Sequence, residues 1–165
     1  RGGLLTGVIE WFAGTIWLFL PAYFANAAPV LIHGGGSIDG GRNWSDGRKI
    51  LGDHKTIIGF LAGVSVGTAI AVLQGNILQG FLFSLGAIIG DLVFAFIKRR
   101  LGYLPGMPWP IGDQIGFIIF AILLGSLVEP RPDLLQDLTL LLTTIPVHYI
   151  SNLFAWGLRW KKNPW

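Results

Sequence analysis

The chain has 165 residues, of which 52% are hydrophobic and 13% charged, whereas a typical soluble domain has about 25% charged residues. With a mean hydropathy of +0.61, this composition excludes an ordinary soluble domain and indicates a membrane protein. The absence of cysteine excludes disulfides and cysteine-ligated zinc. The net charge of +3 comes from basic residues between apolar segments, which indicates membrane topology rather than nucleic-acid binding.

Five apolar segments are long enough, or nearly so, to cross a bilayer. They cover residues of about 4–31, 57–73, 77–97, 111–128 and 138–158. Each is predicted to be a helix, because backbone exposed to lipid must satisfy its own hydrogen bonds. The prediction is therefore an all-α membrane protein with five transmembrane helices, in one integral membrane domain over residues 1–165.

Lysine and arginine predict the orientation of these helices. All basic residues except Arg1 and Arg131 lie in the polar loop at about 32–56, in the loop at about 98–110, or in the C-terminal tail. Five spans place these three segments on one side, which the positive-inside rule makes cytoplasmic. We expect a multi-pass protein of the cell membrane with its N-terminus outside and its C-terminus in the cytoplasm.

Glycines recur at every fourth residue in the second and third segments, as Gly59, Gly63 and Gly67 and as Gly86 and Gly90. Small residues at this spacing let membrane helices approach closely. A glycine-rich chain also produces such spacings by chance, but close helix packing is the favoured interpretation.

The loop at about 32–56 is longer and more polar than a tether between two helices requires. Its glycines let backbone N–H groups approach phosphates, and its basic residues neutralise them, so it is a candidate phosphate-binding segment. Asn26, near the inner end of the first segment, is predicted to face protein or substrate. His33 and His54 are candidate ligands, although a loop histidine is more often simply polar. His148, deep in the fifth segment, is interpreted as a hydrogen-bonded packing residue.

Asp91 lies inside the third apolar segment, where a carboxylate costs about 2.5–3.5 kcal/mol at the centre of a span and marks a functional candidate. Lys98 follows two helical turns later, on nearly the same face. The alternative is a structural ion pair between Asp91 and a basic side chain. The Lys98-Arg99-Arg100 triplet is typical of topology determinants, but beside a buried aspartate it becomes a candidate phosphate clamp.

Asp113 begins the fourth apolar segment. One interpretation is that this aspartate only caps the N-terminus of the helix and has no other role. The functional alternative is an oxygen ligand for Mg²⁺, which prefers one or two carboxylates together with substrate phosphates. Asp91 and Asp113 supply that number, so both are predicted metal ligands.

Several motifs together resemble the CDP-archaeol synthase family, archaeal enzymes that transfer a cytidylyl group from CTP to a lipid phosphate. They are Asn26-x-x-Pro29-Val30, Asp39-Gly40, Asp46-Gly47-Arg48, Gly52-Asp53-His54-Lys55-Thr56, Gly90-Asp91-Leu92, Lys98-Arg99-Arg100-Leu101-Gly102 and Pro110-x-x-Asp113-Gln114-x-x-Phe117. The resemblance runs from about residue 26 to 120, and its latter half is also similar to bacterial CDP-diacylglycerol synthases. Two positions depart from the family pattern: Ala95, where serine is frequent, and Gly116, where a second aspartate is expected.

The resemblance implies transfer of CMP from CTP to an unsaturated archaeal ether lipid phosphate, 2,3-bis-O-geranylgeranyl-sn-glycerol 1-phosphate, with release of pyrophosphate. It implies Mg²⁺ as cofactor, an active site at the cytoplasmic face, and lipid chains that stay in the bilayer between the helices. The residues implied to be catalytic are Asp91, Asp113, Lys98 and Arg99, of which the two aspartates are the metal ligands. The residues implied to bind substrate are Asn26, Asp39, Asp46, Arg48, Asp53, His54, Lys55, Thr56, Arg100 and Gln114.

Two other classes of protein are alternatives to this family. A CDP-alcohol phosphotransferase needs an Asp-Gly-x-x-Ala-Arg motif, which the Asp39-Gly40-Gly41-Arg42 stretch does not supply. A small transporter or channel subunit would suit an intramembrane Asp91. It would not specifically require a long polar loop rich in glycine, aspartate and lysine.

Overall fold

The computed structural model describes residues 2–32, 34–109 and 111–160. These residues form five α-helices and no β-strand, which confirms the all-α class. The helices are α1 (Gly2–Leu31), α2 (Ile57–Gln74), α3 (Ile77–Arg100), α4 (Gly112–Gly125) and α5 (Leu134–Gly157). All but α4 are long and apolar enough to cross a membrane. We call the end of the bundle at which α3 ends and α4 begins the inner end.

Two helix boundaries differ from the predicted ones for local reasons. α5 begins at Leu134, four residues earlier than expected, because Asp133 and Gln136 form a capping box with hydrogen bonds of 2.7 and 3.0 Å. α4 ends at Gly125 instead of near residue 128, because the chain turns there and the N–H of Leu127 bonds to the carbonyl of Leu124. A helix needs about 20 residues to cross the bilayer fully, and α4 has 14.

α3 is the central helix and packs against α1, α2 and α4, whereas α5 packs mainly against α4 and touches α1. The core between the helices is apolar and includes the fully buried side chains of Phe19, Phe83, Ile118 and Leu140, one from each of four helices. The rings of Phe19 and Phe83 lie 4.4 Å apart between their centroids. This arrangement leaves the inner end of α3 bordered by α2, α4 and the polar loop, which is where the charged residues gather.

Close approach of the helices at the predicted glycines is confirmed. A Cβ atom at Gly63 would lie 2.8 Å from the carbonyl oxygen of Ala25 in α1. A Cβ atom at Gly86 would lie 2.8 Å from the Cα atom of Ala121 in α4. The neighbour in both cases is backbone, which cannot give way without a shift of the whole helix.

We expect Gly86→Ala to destabilise the bundle, because the added methyl overpacks the α3–α4 contact and costs about 1–3 kcal/mol. Gly14→Ala in α1 is the matched control, since nothing lies within 4 Å of a Cβ atom there. Alanine favours a helix by up to about 1 kcal/mol over glycine, so the control should unfold at the same or a higher temperature. Thermal unfolding in detergent, followed by circular dichroism, checks this, and equal midpoints for the two variants would contradict the packing.

Candidate active site

Asp39 organises the polar loop between α1 and α2. Its carboxylate accepts hydrogen bonds from the hydroxyl of Ser37 and, at 2.9 Å each, from the backbone N–H groups of Gly41 and Leu51. Two short antiparallel bridges, Ser37 with Thr56 and Asn43 with Lys49, complete the fold of the loop. The carboxylate predicted to contact substrate thus holds the loop together, and its contact with substrate stays a prediction.

The hydrogen bonds to Asp39 make the loop sensitive to acid. Burial alone would raise the pKa of Asp39, but the bonds from Ser37, Leu51, Gly41 and Gly52 outweigh it and lower the pKa from 3.8 to about 2. Because the pKa in the folded state lies below the unfolded value, the carboxylate stabilises the loop above about pH 4. That contribution is lost as the pH falls from about 4 toward 2.

We expect Asp39→Asn to open the loop at neutral pH, because an amide cannot accept the same set of hydrogen bonds. Limited proteolysis in detergent should then cleave between α1 and α2 faster than in the parent protein. Asp53→Asn is the control in the same loop, since the side chain of Asp53 is 63% exposed and pairs only with Lys49 among the described residues. Equal cleavage of the parent and Asp39→Asn would show that Asp39 does not hold the loop.

Two arginines fasten the loop to the inner end of α3. The guanidinium of Arg100 donates hydrogen bonds to a carboxylate oxygen of Asp46 at 2.7 Å and to the carbonyl of Lys49 at 2.5 Å. It also lies over the ring of Phe96, 5.0 Å from its centroid. The guanidinium of Arg48 donates to the carbonyl of Arg100 at 2.6 Å. These contacts hold the loop in place, and the predicted roles of Arg48, Asp46 and Arg100 in substrate binding remain predictions.

A first ion pair joins the loop to α3. Nζ of Lys55 lies 2.5 Å from a carboxylate oxygen of Asp91, and both side chains are about one-third exposed, at 28% and 34%. They line a small cavity together with His54, Thr56 and apolar residues of α1, α2 and α3. Thr56 also caps α2, since its hydroxyl accepts a hydrogen bond from the N–H of Gly59 at 3.0 Å. Four of the predicted site residues therefore meet at this cavity.

A second ion pair joins α3 to α4. Nζ of Lys98, which is 7% exposed, lies 2.5 Å from a carboxylate oxygen of Asp113. The same oxygen accepts a hydrogen bond from the N–H of Trp109 at 2.9 Å. Arg99 is also buried and donates to the carbonyl of Tyr103, but its Nε atom has no hydrogen-bond partner among the residues that the structure describes. A buried guanidinium with an unused donor is suited to an anion.

The two predicted metal ligands, Asp91 in α3 and Asp113 in α4, thus both lie toward the inner end of the bundle but belong to separate ion pairs. Asp91 pairs toward α2 and the loop, and Asp113 pairs toward α3 from the start of α4. Within residues 2–32, 34–109 and 111–160, no three histidine or acidic side chains form a group that could hold a metal. The donor set still fits Mg²⁺, because the ion takes one or two carboxylates and completes its shell with water and substrate phosphates.

The remaining predicted residues lie around this region. Asn26 in α1 and Gln114 in α4 are partly buried, but neither lines the cavity beside Asp91. Asp53 pairs with Lys49 on the surface of the loop at 3.1 Å. His33 lies outside the described residues.

At position 116, where the resemblance predicts a second aspartate, an aromatic ring packs against the glycine. A Cβ atom at Gly116 would lie 2.7 Å from ring atoms of Phe94, so this ring fills the space that a side chain would need. The ring of Phe94 stacks on Trp109 with 5.7 Å between centroids. Aromatic packing therefore takes the place at which the resemblance predicts a carboxylate. Ala95, the other departure, is buried at 7% exposure.

Comparison with known proteins identifies the family of this chain. The family model of the CarS-like CDP-archaeol synthases matches residues 8–80 and 75–165. A CDP-archaeol synthase of Thermococcus gammatolerans is 47% identical over 171 residues, which cover 96% of this chain and 99% of that protein. The CDP-archaeol synthase of Pyrococcus furiosus is 44% identical, with 90% of this chain and 95% of that protein covered. That of Methanocaldococcus jannaschii is 35% identical, with 92% of this chain and 96% of that protein covered. This chain belongs to the CDP-archaeol synthase family.

A solved structure supports the same relationship at the level of the fold. It is described as an intramembrane enzyme for archaeal membrane lipid biosynthesis, and it matches this chain with a TM-score of 0.77 and 35% sequence identity. The match covers 84% of this chain and 92% of that chain. The sequence comparison and the structure comparison therefore both relate this chain to enzymes of archaeal lipid biosynthesis.

Within this family member, sequence reasoning missed the residues that hold the charged groups in place. Tyr103 and Trp109 offer backbone groups to Arg99 and Asp113, and their rings lie 6.2 Å apart between centroids. The signal that could have found them is a proline-rich turn that contains two aromatic residues between two charged helix ends. Such a turn is rigid and can position backbone donors and acceptors.

Proposed function

We propose that the protein transfers CMP from CTP to an unsaturated archaeal ether lipid phosphate, forming a CDP-activated lipid and pyrophosphate in membrane phospholipid biosynthesis. Membership of the CDP-archaeol synthase family supports the class of reaction. The structural observation that supports it best is the presence of two Asp–Lys pairs and the buried Arg99 along the inner part of α3. Such a site can bind phosphates beside a bilayer.

The chemistry requires alignment more than a protein nucleophile. An oxygen of the lipid phosphate attacks the α-phosphorus of CTP and forms a new P–O bond. The bond from the α-phosphorus to the oxygen that bridges to the β-phosphorus breaks, and pyrophosphate leaves with the electron pair. Because a phosphomonoester has a second pKa of about 6, the attacking group is largely ionised at pH 7.

The basic residues align the phosphates and neutralise their charge. Lys55 is held beside the cavity by Asp91, and Lys98 is held by Asp113 at the start of α4. Arg99 offers its unused Nε donor on the same helix. Asp91 and Asp113 are the residues that would hold Mg²⁺, which when bound stabilises the charge that develops on the leaving pyrophosphate.

We further propose that all five helices lie in the membrane as one domain over residues 1–165, with α4 as a short span packed along α3. The loop at 32–56, the inner ends of α3 and α4, and the C-terminus face the cytoplasm, and the N-terminus lies outside. The distribution of lysine and arginine supports this orientation. It places the charged site where soluble CTP can reach the membrane surface.

The test is a reconstituted assay with the purified protein in liposomes, Mg²⁺, the ether lipid phosphate and CTP labelled at either the α- or the γ-phosphate. The α-label should enter the lipid phase and the γ-label should appear in pyrophosphate, in equal amounts. Chelation of divalent ions should stop both, and Mg²⁺ should restore them. Failure of the lipid to acquire label, together with cation flux across the liposomes, would favour the transporter alternative.

A further inference from the structure

The two Asp–Lys pairs differ in how readily the lysine can change its partner. Lys55 belongs to the polar loop, just before Thr56 caps α2, and its side chain is 28% exposed. Lys98 lies within α3, and its side chain is 9% exposed. A lysine ammonium is a compact charge on a flexible stem, so an exposed one can turn toward another anion. Of these two lysines, Lys55 is therefore the one that can exchange its carboxylate for a phosphate.

The pairing with Lys55 leaves Asp91 with no net negative charge to offer a metal ion. Nζ of Lys55 lies 2.5 Å from an oxygen of Asp91, so the two side chains are neutral as a unit. Further along α3, Lys98 neutralises Asp113 in the same way, and the guanidinium of Arg99 adds a positive charge. A surface that is neutral to positive attracts anions and repels divalent cations that arrive alone.

A magnesium ion and the Lys55 ammonium repel each other if both stay at the Asp91 carboxylate. Magnesium binds carboxylate oxygens at about 2.0–2.1 Å, which would bring the ion within a few ångströms of Nζ. Phosphate oxygens remove this conflict, because they accept hydrogen bonds from the ammonium and also complete the shell of the metal. The Asp91 carboxylate thus becomes available to the ion when a phosphate binds the lysine.

The size of the cavity beside the pair supports such an exchange. Its volume of about 40 Å³ gives room for a few water molecules but not for a triphosphate. A phosphate therefore binds Lys55 by drawing the ammonium away from Asp91, and not by joining both groups inside the cavity. The exposed part of the lysine side chain makes this movement accessible from outside the bundle.

We infer that Lys55 excludes free Mg²⁺ from Asp91 and yields this carboxylate only to metal that arrives with a nucleotide. The phosphates of CTP bind the ammonium of Lys55, and the Asp91 carboxylate released from the pair then binds the ion. The inference rests on the proposed function and adds a residue that decides which form of the metal the site accepts. Loss of Lys55 should therefore improve the binding of metal alone, which a merely structural role would not do.

The test measures Mn²⁺ binding to the purified protein in a neutral detergent, without nucleotide, from the electron paramagnetic resonance signal of the free ion. Mn²⁺ serves as the probe because it takes the same carboxylate and water oxygens as Mg²⁺. Lys55→Met should bind Mn²⁺ about tenfold more tightly than the parent protein, because Asp91 keeps its charge and loses the competing cation. Lys55→Arg keeps a cation at this position and should bind as weakly as the parent.

Further variants show where the ion binds. When Lys55→Met is combined with Asp91→Asn, the gain should disappear, because the carboxylate that receives the ion is absent. Lys49→Met removes the same charge from the same loop, but Lys49 pairs with the exposed Asp53. Because solvent screens that pair, this variant should change Mn²⁺ binding by less than about twofold. Lys55→Gln is a second neutral variant that should match Lys55→Met, so a folding defect in one leaves the other to decide.

Nucleotide binding should change in the opposite direction. The probe is α,β-methylene-CTP, which cannot release pyrophosphate, and it is measured with a chelator in place of the metal. Lys55→Met should bind it at least about tenfold more weakly than the parent, because one charge-assisted hydrogen bond to a phosphate is lost. Lys49→Met should bind it as the parent does.

Three results for Mn²⁺ would overturn the role of Lys55: unchanged binding in both neutral variants, an equal gain in Lys55→Arg or Lys49→Met, or a gain that survives Asp91→Asn. Unchanged binding of the CTP analogue to Lys55→Met would overturn it as well. None of these measurements depends on turnover. Absence of CDP-lipid from the parent protein in the liposome assay would overturn the proposed function instead, so the two failures are distinguishable.

Discussion

Asp91→Asn is expected to abolish CDP-lipid formation while the helical bundle stays folded. The substitution keeps the shape of the side chain but removes the charge that pairs with Nζ of Lys55 at 2.5 Å. It thereby removes one of the two carboxylates available to Mg²⁺ and frees Lys55 from its fixed position. We expect kcat to fall by about 10³-fold or more, the upper range for loss of one preorganised electrostatic group. Single-turnover measurements with α-labelled CTP in liposomes give this value.

Glu10→Gln is the matched control for this variant. Glu10 is an exposed carboxylate in the outer part of α1, far along the helix from the inner end. Its loss should leave turnover unchanged, and the thermal unfolding of both variants should remain close to that of the parent. A near-normal rate in Asp91→Asn would assign Asp91 to a structural ion pair, the alternative that the sequence left open.

Lys98→Met is expected to lower turnover by about 10²–10³-fold, because it removes a buried cation from the phosphate-binding region. It should also destabilise the protein, since the carboxylate of Asp113 loses its partner. The side chain of Asp113 is 36% exposed, so solvent screens the orphaned charge. Breaking a fully buried ion pair costs about 3–5 kcal/mol, and the loss of stability in this variant should be smaller.

The double variant Lys98→Met with Asp113→Leu separates a structural role from a functional one. Replacing both partners removes the orphaned charge, so stability should recover relative to Lys98→Met. Turnover should not recover, since both the cation and the carboxylate are then absent from the site. Recovery of turnover together with stability would show that the Lys98–Asp113 pair serves only to join α3 to α4.

The pairing of these charges could be predicted only in part. An aspartate inside an apolar segment is visible in the sequence because the bilayer makes it costly. The sequence suggested Lys98, two turns further along α3, as a neighbour of Asp91, whereas the structure pairs Asp91 with Lys55 of the loop. Lys98 turns instead to Asp113 on α4. Spacing along one helix cannot report which side chains other segments bring to it.

The polar loop could likewise be predicted only in part from the sequence. Its length, glycines and charges predicted a phosphate-binding segment rather than a tether. The structure shows two short antiparallel bridges within it, and phosphate binding stays a prediction. Charges that hold the loop in place could not be told apart in the sequence from charges that are free to bind a phosphate. Asp39 bonds to backbone N–H groups, and Arg100 bonds to Asp46 and to carbonyls. Both kinds of charge look alike until their partners are known.

Residue order alone accounts for the helices and the family of this protein. A bilayer admits few structures for a long apolar segment, and the charged motifs are specific enough to indicate their relatives. Only tertiary packing decides that Phe94 fills the space beside Gly116 and that two lysines neutralise two aspartates. The reason is physical: helix formation in lipid depends on neighbours within one or two turns, whereas these contacts join residues that are distant in the chain.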